Sequence, residues 1–131
     1  MIFEYHLKTQ KEEMIPIHKQ LAEAIEQSGV NNGTALIYCP HTTAAITINE
    51  NGDPYVRQDL VTALEKFFPK LTEYRHFEGN SAAHFKSSLF GVSETVIITD
   101  GKPLLGTWQS PYFCEFDGPR TRRFYIKIEG E

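Results

Sequence analysis

The chain has 131 residues, 40% of them hydrophobic and 12% aromatic, enough for one domain with a substantial core. Its 17 acidic and 13 basic residues leave a net charge of −4, which excludes the broad electrostatic attraction of a nucleic-acid or anionic-membrane binder. Cys39 and Cys114 lie far apart with no CxxC spacing, so two reduced, packed thiols are expected ahead of a single disulfide. The start, MIFEYHLKTQ, alternates polar and apolar residues and has neither a signal h-region nor a membrane span, so a cytoplasmic protein is expected.

Phe3, Tyr5 and Leu7 alternate with Glu4, His6 and Lys8, the pattern of a first strand. From Pro16 to Ser28 the period turns helical, with Ile17, Leu21, Ala24 and Ile25 on one face and Gly29 as the stop. ALIYC (35–39) and AAITIN (44–49) read as two strands separated by the polar insert PHTT. Asp53 and Pro54 open a second helix, with Val56, Leu60, Leu64 and Phe67 or Phe68 as its stripe and Pro69 as its end. Asn80 or Ser81 can cap a short third helix that stops at Gly91.

The last third reads as strands. TVIITDGKPLLGTW carries a DG hairpin turn, and SPYFCEF and RRFYIKIEG follow, joined by the turn DGPR. Helices and strands do not alternate regularly, and no glycine-rich phosphate loop follows a strand. The expected fold is therefore α+β: one compact domain, residues 1–131, with a large mixed or antiparallel sheet and two to three helices.

Polar residues collect at three corners. In CPHTTAAITINENGDP, His41 offers a base or ligand and Glu50 a carboxylate, with Thr42 and Thr43 beside them; the alternative is a plain solvated hairpin tip. In HFEGNSAAH (76–84), His76 and His84 miss the i, i+4 spacing of a helical zinc motif. They can still converge if His76 ends an extended segment and His84 lies one turn into the helix, with Glu78 as a further ligand or orienting group. The helix N-terminus at Asn80 and Ser81 is a separate attraction for anions. In GTWQSPYFCEFDGPRTRR, Trp108 can form a wall for a flat ring and Gln109 an amide reader, against the alternative of a core tryptophan. Asp117, Arg120, Arg122 and Arg123 surround one turn, and Arg120 and Arg122, at alternating positions, would pair on one strand face toward phosphate or form a salt-bridged edge.

HTTAAITINEN, HFEGNSAAHFKSSLFG, GTWQ and EFDGPR, in this order over essentially the whole chain, closely resemble the YjbQ family of small proteins, often described as secondary thiamine-phosphate synthases. The resemblance implies a homotrimer with pockets at subunit interfaces and a divalent metal ion, zinc or magnesium. It carries motif histidines onto His41, His76 and His84, and motif acids onto Glu50, Glu78 and Asp117. Asn80, Ser81, Trp108, Gln109 and Arg120 fall on its remaining motif positions. The implied reaction joins a pyrimidinylmethyl diphosphate to a thiazole phosphate, so the expected partner is a phosphorylated small molecule. His41, Glu50, Asp117 and Arg120 would be catalytic. Thr42, Thr43, Asn80, Ser81, Trp108 and Gln109 would bind substrate, and His76, His84 and Glu78 would ligate metal. Two other readings remain open at this point: a metal-dependent hydrolase of another metabolite, and a non-catalytic trimeric binding protein.

Overall fold

A computed structural model describes all 131 residues and divides the strands between two antiparallel sheets. The first sheet contains β1 (Ile2–Lys8), β3 (Gly33–Tyr38), β5 (Ser93–Thr99), β6 (Lys102–Pro103) and β8 (Thr121–Gly130), in the order β1-β8-β3-β5-β6. The second contains β2 (Glu13–Pro16), β4 (Ala44–Glu50) and β7 (Gln109–Glu115), in the order β2-β7-β4. Three helices complete the fold: α1 (His18–Ser28), α2 (Pro54–Phe67) and α3 (Ser81–Phe90). Every strand pair is antiparallel, which settles the open choice between a mixed and an antiparallel sheet.

Side-chain alternation places the core. Ala35 and Ile37 of β3, Val96 and Ile98 of β5, and Phe124, Ile126 and Ile128 of β8 all face one side. Leu21, Ala24 and Ile25 of α1 cover that side together with Ile46 and Phe113 of the three-stranded sheet. The opposite face of the three-stranded sheet carries Ala45, Tyr112 and Cys114, packed against Leu64 of α2 and Ala83 of α3. Strand β7 is thus buried on both faces, which is why PYFC reads as a continuous apolar run instead of an alternation. Both cysteines are free and buried, as their apolar neighbours suggest.

Local chemistry sets the element ends. The Asp53 carboxylate accepts the Tyr55 N–H at 2.9 Å, and Pro54 occupies the first helical position of α2. Asp100 and Gly101 both take positive φ, 53° and 73°, giving the β5–β6 turn the double left-handed geometry that a tight hairpin requires. Two expectations need correction. The first helix starts at His18, because Pro16 belongs to β2 and pairs with Tyr112. Strand β2 itself, second in chain order, is an additional element that local pattern misses, since four residues ending in proline form a strand only through their distant partner β7. No helix is long and apolar enough to cross a membrane.

Candidate functional site

The motif residues fall at two opposite ends of the three-stranded sheet. Ala44 pairs with Glu115 at one end of β4 and Glu50 with Gln109 at the other. At roughly 3.4 Å per residue the two ends are about 20 Å apart.

The first end is built around the turn that joins β7 to β8. Arg120 donates through Nε to the Asp117 carbonyl at 2.7 Å and through Nη2 to its carboxylate at 2.9 Å. The same carboxylate oxygen accepts the Asn80 side-chain amide at 2.7 Å. Asn80 occupies the N-cap position of α3 but makes no side-chain cap, because its amide is committed to Asp117. Its Oδ1 is enclosed and has no hydrogen-bond partner. Asp117, Arg120 and the start of α3, read from the sequence as parts of two separate corners, therefore form one connected corner. Ser81, half-buried, is the first residue of that helix.

Beneath this corner lies a buried ion pair that local sequence did not announce. Glu115 is fully buried and Arg122 nearly so. The guanidinium grips the carboxylate with Nε at 2.7 Å and Nη2 at 2.5 Å, and Nη2 also reaches the Thr43 hydroxyl at 2.8 Å. Burial alone would raise the Glu115 carboxyl, but hydrogen bonds from Arg122, Thr9 and the Asp117 N–H outweigh it and hold its pKa below the ordinary value. The expected pairing of Arg120 and Arg122 on one face is corrected here. Arg122 points into the protein and is consumed by Glu115, while Arg120 precedes β8 and stays exposed. Thr43 is buried and belongs to the same network, whereas Thr42 is exposed. The available signal was an acid placed inside an apolar run, YFCEF, with a basic partner seven residues on.

His41 sits just beyond β3, where β8 has lost β3 on one side while still pairing with β1 on the other. Its Nε2 lies 3.1 Å from both the N–H and the carbonyl of Arg123, accepting or donating according to tautomer. Burial, then the Arg122 charge, lowers its pKa, which favours the neutral ring. The ring also packs edge-on against Phe113. In one chain, Nε2 is thus occupied by backbone, and Nδ1 is the nitrogen left over.

His76 and His84 do converge, with ring centroids 5.3 Å apart in an edge-to-face arrangement. Glu78, between them in sequence, is exposed. No group of three or more His, Cys, Asp or Glu side chains is placed to hold a metal ion. Two imidazoles fall short of the three protein ligands of a catalytic zinc site, and magnesium prefers oxygen donors. Helix α3 is fastened in place from behind: Lys86 donates to Glu12 at 2.7 Å and the Ser87 hydroxyl to the Ala44 carbonyl at 2.7 Å. Burial raises the Glu12 carboxyl despite that partner.

The second end holds Glu50, Trp108 and Gln109, which line a shallow cavity of about 310 Å³ with Ile48 and Asn49. Trp108 is 64% exposed, so it is not a core tryptophan. Its ring lies across Gly52, where an added Cβ would come within 2.5 Å of Cε3. The Gln109 side chain accepts the Gly106 N–H at 2.8 Å, and the Tyr112 hydroxyl ties down Glu50 and Asn51. Gly52→Ala should therefore displace the indole while leaving thermal stability within about 1 kcal/mol, because the neighbour is an exposed side chain. A changed emission maximum of Trp108, the single tryptophan, checks this; an unchanged spectrum contradicts it. A larger groove of about 450 Å³ between β2 and α2, lined by Glu12, Met14, Arg57 and Val61, contains none of the expected site residues.

Fold and motifs together describe a small α+β protein with two polar corners at the ends of a buried three-stranded sheet. The family model described as "UPF0047 protein YjbQ-like" matches residues 3–131, and the chain belongs to that family. A UPF0047 protein of Methanocaldococcus jannaschii is 56% identical over 132 residues, covering 100% of this chain and 96% of its own. YugU of Bacillus subtilis is 53% identical, with 93% of each chain covered. A crystal structure of a family member from Clostridium acetobutylicum superposes with a TM-score of 0.95 at 52% identity, covering 97% of this chain and 99% of that one.

Proposed function

We propose that the protein is a small-molecule enzyme of the secondary thiamine-phosphate synthase type, acting on two phosphorylated substrates at pockets shared between copies of a homotrimer. The observation that carries this reading is the division of the motif residues into complementary halves. One end of the sheet offers a guanidinium and a helix N-terminus, both suited to phosphate, with two imidazoles close by. The other end offers an exposed indole and an amide, suited to a flat heteroaromatic ring. Halves about 20 Å apart serve one substrate only if a neighbouring copy brings them together, and a head-to-tail contact that closes into a ring does this. Exposed apolar surface favours assembly: Phe77 beside the histidine corner is wholly exposed, and Ile2, Leu36, Tyr38 and Ile97 are uncovered on the five-stranded sheet.

The reaction forms a bond from the thiazole nitrogen to the pyrimidine methylene carbon while the bond from that carbon to the diphosphate oxygen breaks. The electron pair leaves with pyrophosphate. Arg120 and the N–H groups opening α3 would hold the leaving diphosphate, and His76 and His84 would donate hydrogen bonds as its charge develops. Trp108 would stack on a ring and Glu50 would orient it, with Asp117 aiming Arg120. Alternatively, His76 and His84 would hold a divalent ion that counters the diphosphate charge in place of their hydrogen bonds, and its third protein ligand would have to come from the neighbouring copy. The test is pyrophosphate release from the two substrates, with and without added divalent ions. Wild-type turnover is expected, with KM for the diphosphate rising about tenfold in Arg120→Ala. Absence of turnover together with absence of pyrophosphate binding overturns the reading.

A further inference from the structure

The turn carrying Asp117 and Arg120 is not held by sheet pairing, since β7 ends at Glu115 and β8 begins at Thr121. It is held by the Gly118 N–H, which donates to the Lys11 carbonyl at 2.8 Å, and by two buried side chains that fix its ends. Glu115 accepts the Asp117 N–H at 3.0 Å through one carboxylate oxygen and the Thr9 hydroxyl at 2.5 Å through the other. The Thr9 hydroxyl in turn accepts the Arg120 N–H at 3.1 Å, and the Thr9 N–H donates to the Arg120 carbonyl at 2.9 Å. Both ends of the turn thus meet on one hydroxyl–carboxylate link, and Arg122 extends it to Thr43 beside His41. Thr9 is only 4% exposed and Glu115 not at all, so neither can touch a substrate.

We propose that Thr9 and Glu115 are positioning residues: their buried link sets the turn so that Asp117 clasps Asn80 and Arg120 faces an anion at the start of α3. The inference rests on the reading of that corner as an anion site, and the two are tested separately. A buried hydroxyl that accepts one bond and donates another is a directional connector, and an apolar side chain of the same shape fills its space without making either bond. Thr9→Val removes the link with little change in volume, and Thr9→Ser restores it with one methyl fewer.

Two readouts decide the matter. The first is the Asn80 side-chain amide resonance in the free protein, assigned by its loss in Asn80→Ala. It reports the bond to Asp117 whether or not any ligand binds. The second is the affinity for inorganic pyrophosphate. The expected result is an Asn80 amide shifted in Thr9→Val and restored in Thr9→Ser, with pyrophosphate binding about tenfold weaker in the valine variant and within about twofold of wild type in the serine one. Should the valine variant not fold, Thr9→Ala is read in the same way. A lowered melting temperature with an unmoved Asn80 amide overturns the inference, because the link would then be structural only. Wild-type protein that binds no pyrophosphate overturns the anion-site reading and, with it, the second half of the inference, while the amide arm still decides what holds Asp117.

Discussion

Arg122→Met should destabilise the fold by about 3–5 kcal/mol, measured as a fall in the urea midpoint, because it leaves a fully buried carboxylate without its charge partner. Glu115 keeps only the Thr9 hydroxyl and the Asp117 N–H, too few donors to offset the desolvation that already opposes its charge. The double variant Arg122→Met with Glu115→Leu should be milder than the single one, since it removes both charges. The pH dependence has a definite sign. In wild type the folded-state pKa of Glu115 is lowered, so its contribution is present above the ordinary glutamate value and is lost as pH falls through the lowered one. In the variant, burial is left to raise that pKa, so the penalty applies at neutral pH and lessens in acid. The gap between the two proteins should therefore narrow as pH falls. A single variant within about 1 kcal/mol of wild type, or a gap that widens in acid, contradicts the role given to this pair.

The second large effect is expected in turnover. His84→Ala should lower kcat about a hundredfold or more with the melting temperature nearly unchanged. The ring is half-exposed at the start of α3, its described partner is His76, and α3 is fixed elsewhere by Lys86 and Ser87. Glu50→Gln should be similarly stable and similarly impaired from the opposite end of the sheet. Full activity in either variant removes that residue from the chemistry.

Much of this was legible in the chain. The alternation of Phe3, Tyr5 and Leu7, the Asp53–Pro54 helix start, and the Asp100–Gly101 turn are local signals with local causes, and each has its expected structure. His76 does approach His84, but through a turn and not an extended segment: the Gly79 N–H donates to the His76 carbonyl at 3.1 Å and Gly79 takes a positive φ just before α3. What escaped was non-local. Strand β2 exists through its pairing with residues about a hundred positions away, and Thr9 joins the Glu115–Arg122 pair across a gap of 106 residues. Arg120 and Arg122 look equivalent as letters, yet only Arg122 lies in β8, whose alternation turns it into the interior, while Arg120 belongs to the preceding turn and stays exposed. The separation of Glu50 from Asp117 follows from the antiparallel β4–β7 register, which puts the two motif ends at opposite edges.

That separation carries the central claim, and mixing two impaired variants tests it most directly. His84→Ala lacks one half-site and Glu50→Gln the other. Co-assembled at equal amounts, copies distribute at random, and about a quarter of the interfaces in a closed ring combine two intact halves. The shared-pocket account predicts that the mixture recovers about a quarter of wild-type turnover. A co-assembled mixture no more active than either variant alone would contradict it and confine the chemistry to a single chain.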